Sequence, residues 1–226
     1  MMGLLLLLTF ACFGLTIWAQ FKVKGNYNQW SKVAASSGLT GAEVARQILD
    51  QNGLYDVAVE PVRGVLSDHY DPIKRVVRLS ENNYYGSSIA AVSVAAHEVG
   101  HAIQHKEQYS MLVLRHRMFP VVNLTSGIAP FLLLAGLFLG FLELFGLGVL
   151  FYAGAVAFQL VTLPVEFNAS SRAKDILLKN GFIRNQEERG VNKVLGAAAF
   201  TYVASTLLAL VELLRFVLLF VAATRE

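Results

Sequence analysis

The chain has 226 residues with a formal net charge of +3, and 55% of its residues are hydrophobic while only 15% are charged. Soluble globular proteins are about 45–50% apolar and about 25% charged, so this composition favours a membrane protein over an ordinary soluble one. The small, scattered positive charge argues against a nucleic-acid partner, and a single cysteine, Cys12, excludes an intramolecular disulfide.

The first apolar run, MGLLLLLTFACFGLTIWAQ, covers residues 2–20. A transmembrane helix needs about 20 such residues. A cleaved signal peptide is the alternative, but it would carry a basic N-terminal region, and no lysine or arginine precedes Lys22. The sequence therefore predicts an uncleaved transmembrane helix over residues 1–20.

Residues 21–119 have the composition of a globular domain. A helix is predicted over 39–54, because Thr40 and Glu43 have the spacing of a capping box and Gly53 provides a left-handed stop. Alternating apolar and polar residues predict half-buried strands at 57–62 and 75–80. The sequence therefore predicts a small α+β domain.

A second helix of this domain is predicted over 89–108, after Ser87 and Ser88 as candidate N-caps. It carries His97, Glu98 and His101 in the order H-E-x-x-H. Residues four apart in a helix lie about 6 Å apart along its axis and on the same face, so both imidazoles can bind one zinc ion. Glu98 then borders the open coordination position as a candidate base.

His105 continues the spacing of the two histidines but is not predicted to be a ligand. It lies eight residues after His97, which is about 12 Å along the helix axis, and one ion cannot bridge that distance. A role at the helix end or in support of the site is expected instead.

The rest of the chain is mostly apolar. Between Pro120 and Pro164 the only charged residue is Glu143, near which the chain is predicted to turn. The predicted segments are a transmembrane helix over 120–142, another over 144–165, a cytoplasmic segment over 166–193 that carries a candidate third metal ligand (Glu166), and a transmembrane or interfacial helix over 194–223. In the last of these, Glu212 and Arg215 are spaced to pair on one helix face.

Lysine and arginine residues predict the orientation in the membrane. Residues 21–119 hold eleven of the nineteen and residues 166–193 hold six, whereas the Glu143 turn and the extreme N-terminus hold none. Positively charged loops stay inside the cell. The N-terminus is therefore predicted to lie outside, with the domain and its active site in the cytoplasm.

A site with two histidines often takes a glutamate as its third ligand. Glu43, Glu60 and Glu81 are candidates in ordinary surroundings, whereas Glu166 follows the apolar run LVTLPV. A carboxylate at the end of a membrane span is costly unless something binds it, although solvation at the membrane interface is an alternative. Ser170, one turn later, is a candidate to support a ligand.

With HEVGH, LPVEFNASSRA and the earlier DHYDP, nearly the whole chain resembles the YugP-like neutral zinc metallopeptidases of bacterial membranes. It is more distantly similar to the HtpX and CAAX-prenyl membrane endoproteases. The resemblance implies one Zn²⁺ held by His97, His101 and Glu166, with Glu98 as base, in a bacterial cell (inner) membrane. The distant relatives have an aspartate where this chain has Ser170.

The predicted fold is a mainly α integral membrane protein, with about four transmembrane or membrane-associated helices and a small α+β zincin-like cytoplasmic domain. The predicted function is a zinc-dependent endopeptidase that cleaves a protein or peptide in or near the bilayer, using a zinc-activated water and Glu98 as the general base. His69 and Tyr70 are candidate donors to the oxyanion, and a simple polar turn is the alternative for their segment.

Two other functions stay open at this point. One is a membrane scaffold or holdase with a zinc site but no catalysis. The other is a membrane iron oxygenase, because Glu98 and His101 also form the E-x-x-H element of di-iron proteins, although a second such element is absent from the sequence. Substrate identity, cleavage specificity and oligomeric state are not predicted.

Overall fold

A computed structural model describes residues 2–224 of the chain, and the fold is mainly helical. In chain order the elements are α1 (Met2–Trp30), α2 (Gly41–Gln51), β1 (Ala58–Val62), β2 (His69–Asp71), β3 (Val76–Ser80), α3 (Glu81–Tyr84), α4 (Ile89–Lys106), α5 (Ser110–Leu139), α6 (Leu142–Lys179) and α7 (Glu188–Ala223), with a 3-10 turn (Asn185–Glu187) before α7.

The chain forms two compact units. The first, called here the membrane unit, comprises residues 2–19, 110–164 and 201–224. The second, called the site unit, comprises residues 20–109 and 165–200. The helices α1, α6 and α7 each contribute residues to both units.

Within residues 2–224, four helices are long and apolar enough to cross a membrane, namely α1, α5, α6 and α7 with the turn that precedes it. Their number agrees with the sequence prediction. Each is longer than the predicted span, since α1 continues to Trp30 and α5 begins at Ser110, within the segment that the sequence assigns to the soluble domain. Where the bilayer begins and ends along each helix stays a prediction.

The turn between α5 and α6 lies at Gly140, three residues before Glu143, near which the sequence predicted it. Gly140 has a φ of +72°, a left-handed conformation that glycine adopts without steric cost. Glu143 instead lies in the first turn of α6, where a negative side chain stabilises the positive end of the helix dipole.

The C-terminal half of α7 packs inside the membrane unit. Leu133, Phe145 and Val149 form a buried cluster there. The α7 residues that pack against it are Leu213, Phe216, Leu219 and Phe220. Glu212 pairs with Arg215, as its spacing predicted, and also accepts a hydrogen bond from Thr9 of α1. Both alternatives for the end of α7, transmembrane and interfacial, stay predictions.

The site unit contains a three-stranded sheet in the order β1-β3-β2. The β1 and β3 strands, which the sequence predicted within one residue at each end, pair in parallel. The β2 strand lies in the DHYDP segment and pairs with β3 in the antiparallel direction. The sequence indicated only a connection there, because β2 has three residues and Asp71 begins a turn by accepting hydrogen bonds from the backbone of Ile73 and Lys74.

Two helices with the predicted caps pack together to form the core of the site unit. In α2, Thr40 and Glu43 form the complete capping box, and Gly53 after the helix has a φ of +64°. In α4, the Ser88 hydroxyl accepts a hydrogen bond from the backbone of Ala91. Both helices lie in one buried cluster with residues of β3, which includes Ile48, Leu49, Leu79, Val92 and Val99.

Candidate metal centre

The helix α4 directs His97 and His101 to one place, because residues four apart lie on the same helix face. Their ring centroids are 4.8 Å apart and their planes are nearly perpendicular. Both side chains are largely buried, with exposures of 14% and 12%. Two imidazoles are therefore held side by side within one unit of the protein.

The carboxylate of Glu166 lies beside both imidazoles. Glu166 is on α6, two residues after Pro164, and is only 4% exposed. Its Oε2 atom is 3.4 Å from Nε2 of His97 and 3.6 Å from Nε2 of His101. Among residues 2–224, these three side chains form the one group whose ligand atoms are close enough to share a metal ion, all within 4.8 Å of one another.

These distances fit a zinc ion. Ligand atoms around tetrahedral zinc, with bonds of about 2.0–2.1 Å, lie about 3.3 Å from one another. The two distances from Glu166 to the histidines are close to that separation. Two neutral imidazoles and one carboxylate are also a common donor set for catalytic zinc, and they leave the fourth position open for a reactant.

The outer nitrogens of both rings have hydrogen-bond partners. The Nδ1 atom of His97 is 3.2 Å from the Ser170 hydroxyl, the residue that the sequence singled out for support. The Nδ1 atom of His101 is 3.0 Å from Oε1 of Gln104. When Nδ1 is engaged in this way, Nε2 is the nitrogen that faces the metal position.

Glu98 adjoins the two histidines and is itself 9% exposed. Burial raises the pKa of Glu98, the two histidines lower it, and the carboxylates of Asp68 and Glu166 raise it, with a net increase over the ordinary value. A raised pKa makes a carboxylate a stronger base, which is the property a proton acceptor in catalysis needs.

Asp68 is a residue near the site that the sequence did not reveal. Its carboxylate accepts hydrogen bonds from the backbone and hydroxyl of Ser80, at 2.7 and 3.1 Å for Oδ1, and from Nδ2 of Asn83 at 3.0 Å. Asn83 is fully buried and in turn accepts a 2.7 Å hydrogen bond from Tyr27. These partners fix the segment before β2, but they are far apart in sequence, so no local pattern identified them.

The other predicted site residues lie outside the cluster of three ligands. His69 is exposed, and its ring contacts the carbonyl of Ser67 at 2.9 Å and the guanidinium of Arg78 at 3.5 Å. The Tyr70 hydroxyl is 2.9 Å from Nδ1 of His105, which lies in the last turn of α4. The role of His69 in catalysis stays a prediction.

Comparison with known proteins supports a protease assignment. A family model described as "Putative neutral zinc metallopeptidase" matches residues 5–221. The chain is 67% identical over 223 residues to a Bacillus subtilis (strain 168) protein named "Putative membrane protease YugP", a match that covers 99% of each chain. No solved structure matches the chain.

Proposed function

Since this chain belongs to the family of neutral zinc metallopeptidases, we propose that it is a membrane zinc endopeptidase whose metal ligands are His97, His101 and Glu166. The observation that carries the proposal is the convergence of two imidazoles of α4 and one carboxylate of α6 at the spacing expected for zinc. The intact base position, Glu98, supports hydrolysis rather than metal binding alone.

The proposed reaction is hydrolysis of a peptide bond. Zinc held by the three ligands would polarise the scissile carbonyl and acidify a water molecule beside it. Glu98 accepts the proton of the attacking water and passes it to the nitrogen of the leaving amine. The raised pKa of Glu98 favours the first transfer, because the group binds the proton more firmly than a solvated glutamate does.

The proposed substrate is a protein or peptide in or near the membrane. Both β1 and β2 are edge strands of the sheet, and an edge strand can bind an extended peptide through backbone hydrogen bonds. The short β2 carries His69, which is the proposed donor to the oxyanion. We place the protein in the bacterial cell membrane with its N-terminus outside and its active site in the cytoplasm, on the distribution of lysine and arginine.

Cleavage of casein, an unstructured substrate, by the detergent-purified full chain tests the proposal. Wild type and Glu98→Gln are compared at equal measured zinc content, with a chelator-treated sample of each. Glu98→Gln keeps the size of the side chain but cannot accept a proton, so cleavage should fall by about 10²–10⁴-fold while zinc is retained. The matched control is Glu81→Gln, which changes an exposed residue of α3. This variant should cleave casein as fast as wild type.

Other outcomes would contradict the proposal in distinct ways. Equal cleavage by wild type and Glu98→Gln would remove Glu98 from the reaction and indicate a contaminating protease. Zinc binding without cleavage of casein or of membrane-protein substrates would support the non-catalytic scaffold. Iron rather than zinc in the purified protein would support the oxygenase.

A further inference from the structure

Gln104 links the second histidine to the backbone beside the third ligand. The side chain is fully buried, and its Oε1 is 3.0 Å from Nδ1 of His101. Its Nε2 donates to the carbonyl of Val165 at 2.8 Å and to Oδ1 of Asn168 at 2.9 Å. One amide therefore contacts α4 at a proposed ligand and α6 at the residue immediately before Glu166.

The orientation of this amide follows from partners that can act only as hydrogen-bond acceptors or only as donors. The Val165 carbonyl can only accept a hydrogen bond, so the Gln104 atom facing it must be the NH₂ group. The guanidinium of Arg172 can only donate, and its Nε is 2.8 Å from Oδ1 of Asn168. Asn168 therefore also presents an acceptor to Gln104, and both contacts require the same orientation.

This orientation determines the tautomer of His101. With its NH₂ group directed at α6, Gln104 presents its carbonyl oxygen to Nδ1 of His101, which must then carry the hydrogen. In the neutral ring, which is the form that binds a metal, the lone pair is then left on Nε2, the atom that lies 3.6 Å from Glu166. In contrast, His97 contacts the Ser170 hydroxyl, which can either donate or accept, so that contact alone does not select a tautomer.

We propose that Gln104 is a positioning residue that holds His101 in the tautomer able to bind zinc, and that Asn168 and Arg172 lock Gln104 in the required orientation. The proposal rests on the proposed zinc site. Arg172 also pairs with Glu107 at 2.6 Å, but Glu107 is 49% exposed, so this outer contact contributes little. Among these contacts, metal binding depends on those of the buried Gln104 amide.

The test measures zinc affinity of the full chain in detergent by competition with a chromophoric chelator. Loss of a side chain that orients a metal ligand typically costs about 10–100-fold in affinity, and this loss is expected for Gln104→Leu. Asn168→Leu leaves Gln104 in place but removes the acceptor that locks it, so a smaller loss of about tenfold is expected. Asn168→Asp keeps an acceptor for both Gln104 and Arg172 and should restore affinity to within about threefold of wild type.

Two further readouts separate positioning from a general effect on folding. The first is the rise in thermal midpoint on adding zinc to each apoprotein, which should shrink in Gln104→Leu and Asn168→Leu but not in Asn168→Asp. The second is the visible absorption of the Co²⁺-substituted protein, which should change for the same two variants. Gln47→Leu, which removes an exposed amide from α2, is the matched control and should alter neither readout.

The outcomes distinguish this inference from the proposed function. Wild type that binds no zinc would contradict the metal site itself. Tight binding by wild type with equal affinity in Gln104→Leu would overturn the positioning role alone. Equal losses in Asn168→Asp and Asn168→Leu would also overturn it, because hydrogen-bond polarity would then have no effect. If Gln104→Leu fails to fold, the two Asn168 variants decide the question.

Discussion

Glu166 places a negative charge in a setting where it is almost inaccessible to water. A buried carboxylate loses its hydration, and two neutral imidazoles replace only part of it. A divalent cation between the three groups would compensate the charge fully. As a proposed ligand, Glu166 is therefore expected to contribute strongly to the affinity for the metal.

The variant Glu166→Gln should therefore lower zinc affinity by more than the roughly 10–100-fold typical of residues that only orient a ligand. The neutral amide occupies nearly the same volume but donates far less charge to the ion. Affinity is measured by chelator competition on the purified chain. Glu60→Gln is the control, because Glu60 was another candidate ligand and instead pairs with Arg78 at the surface. An unchanged affinity in Glu166→Gln would exclude Glu166 as a ligand.

The residues of the site differ in how far the sequence predicted them. The spacing of His97, Glu98 and His101 was sufficient to predict that one helix carries them with the two imidazoles side by side, whereas their roles stay predictions. Glu166 was singled out by its place after an apolar run, and the structure brings it to the histidines. Gln104 could not be identified, because a glutamine in an apolar helix has no distinctive pattern and its partners lie about sixty residues away.

At the scale of elements, α4 and α6 approach closely at one glycine. A Cβ atom on Gly100 would lie 3.0 Å from the carbonyl oxygen of Ala169 and 3.3 Å from its Cα. The same two helices carry fully buried alanines close to this contact in sequence, namely Ala96 on α4 and Ala169 and Ala173 on α6. Small side chains thus allow the histidines of one helix to reach the glutamate of the other.

The variant Gly100→Val should force the two helices apart at the metal site. Overpacking of this kind typically costs about 1–3 kcal/mol of stability, and zinc affinity should fall because Glu166 moves relative to both histidines. Thermal unfolding and chelator competition are measured on the same preparations. Gly196→Ala in α7 is the control, since a Cβ there meets no atom within 4 Å and the change should stabilise the helix by up to about 1 kcal/mol. Equal behaviour of the two variants would contradict the close approach.

The elements that sequence predicted best were those with strong local signals. The caps of α2 and α4 and the alternation in β1 and β3 were sufficient to place these elements, although β3 is buried along nearly its whole length and β1 is mostly exposed, rather than both being half-buried. The β2 strand was missed because three residues are too few to show alternation. The ends of the long helices were underestimated because apolar composition marks the part of a helix suited to the bilayer, and α1, α5 and α6 continue as helix through polar residues.

At the scale of the whole molecule, orientation in the membrane can be tested with single cysteines, because Cys12 is the only native one and is buried. In a Cys12→Ser background, Phe141→Cys marks the connection between α5 and α6, and Tyr55→Cys marks the site unit. Both positions are well exposed in the structure, at 53% and 76%.

The positive-inside distribution predicts that a membrane-impermeant maleimide labels Phe141→Cys in intact cells but labels Tyr55→Cys only after permeabilisation. The Cys12→Ser background without an added cysteine is the control and should stay unlabelled in both conditions. Labelling of Tyr55→Cys in intact cells, with protection of Phe141→Cys, would place the site outside the cytoplasm.

The histidines and Glu166 are separated in sequence by α5 and the apolar first part of α6. During translation the H-E-x-x-H helix is therefore complete while its third ligand has not yet been synthesised. Glu166 leaves the ribosome only after both apolar segments that precede it. A nascent chain, or one truncated before α6, cannot assemble the proposed zinc site, so on the proposed function the enzyme becomes active only after α5 and the first part of α6 have been made.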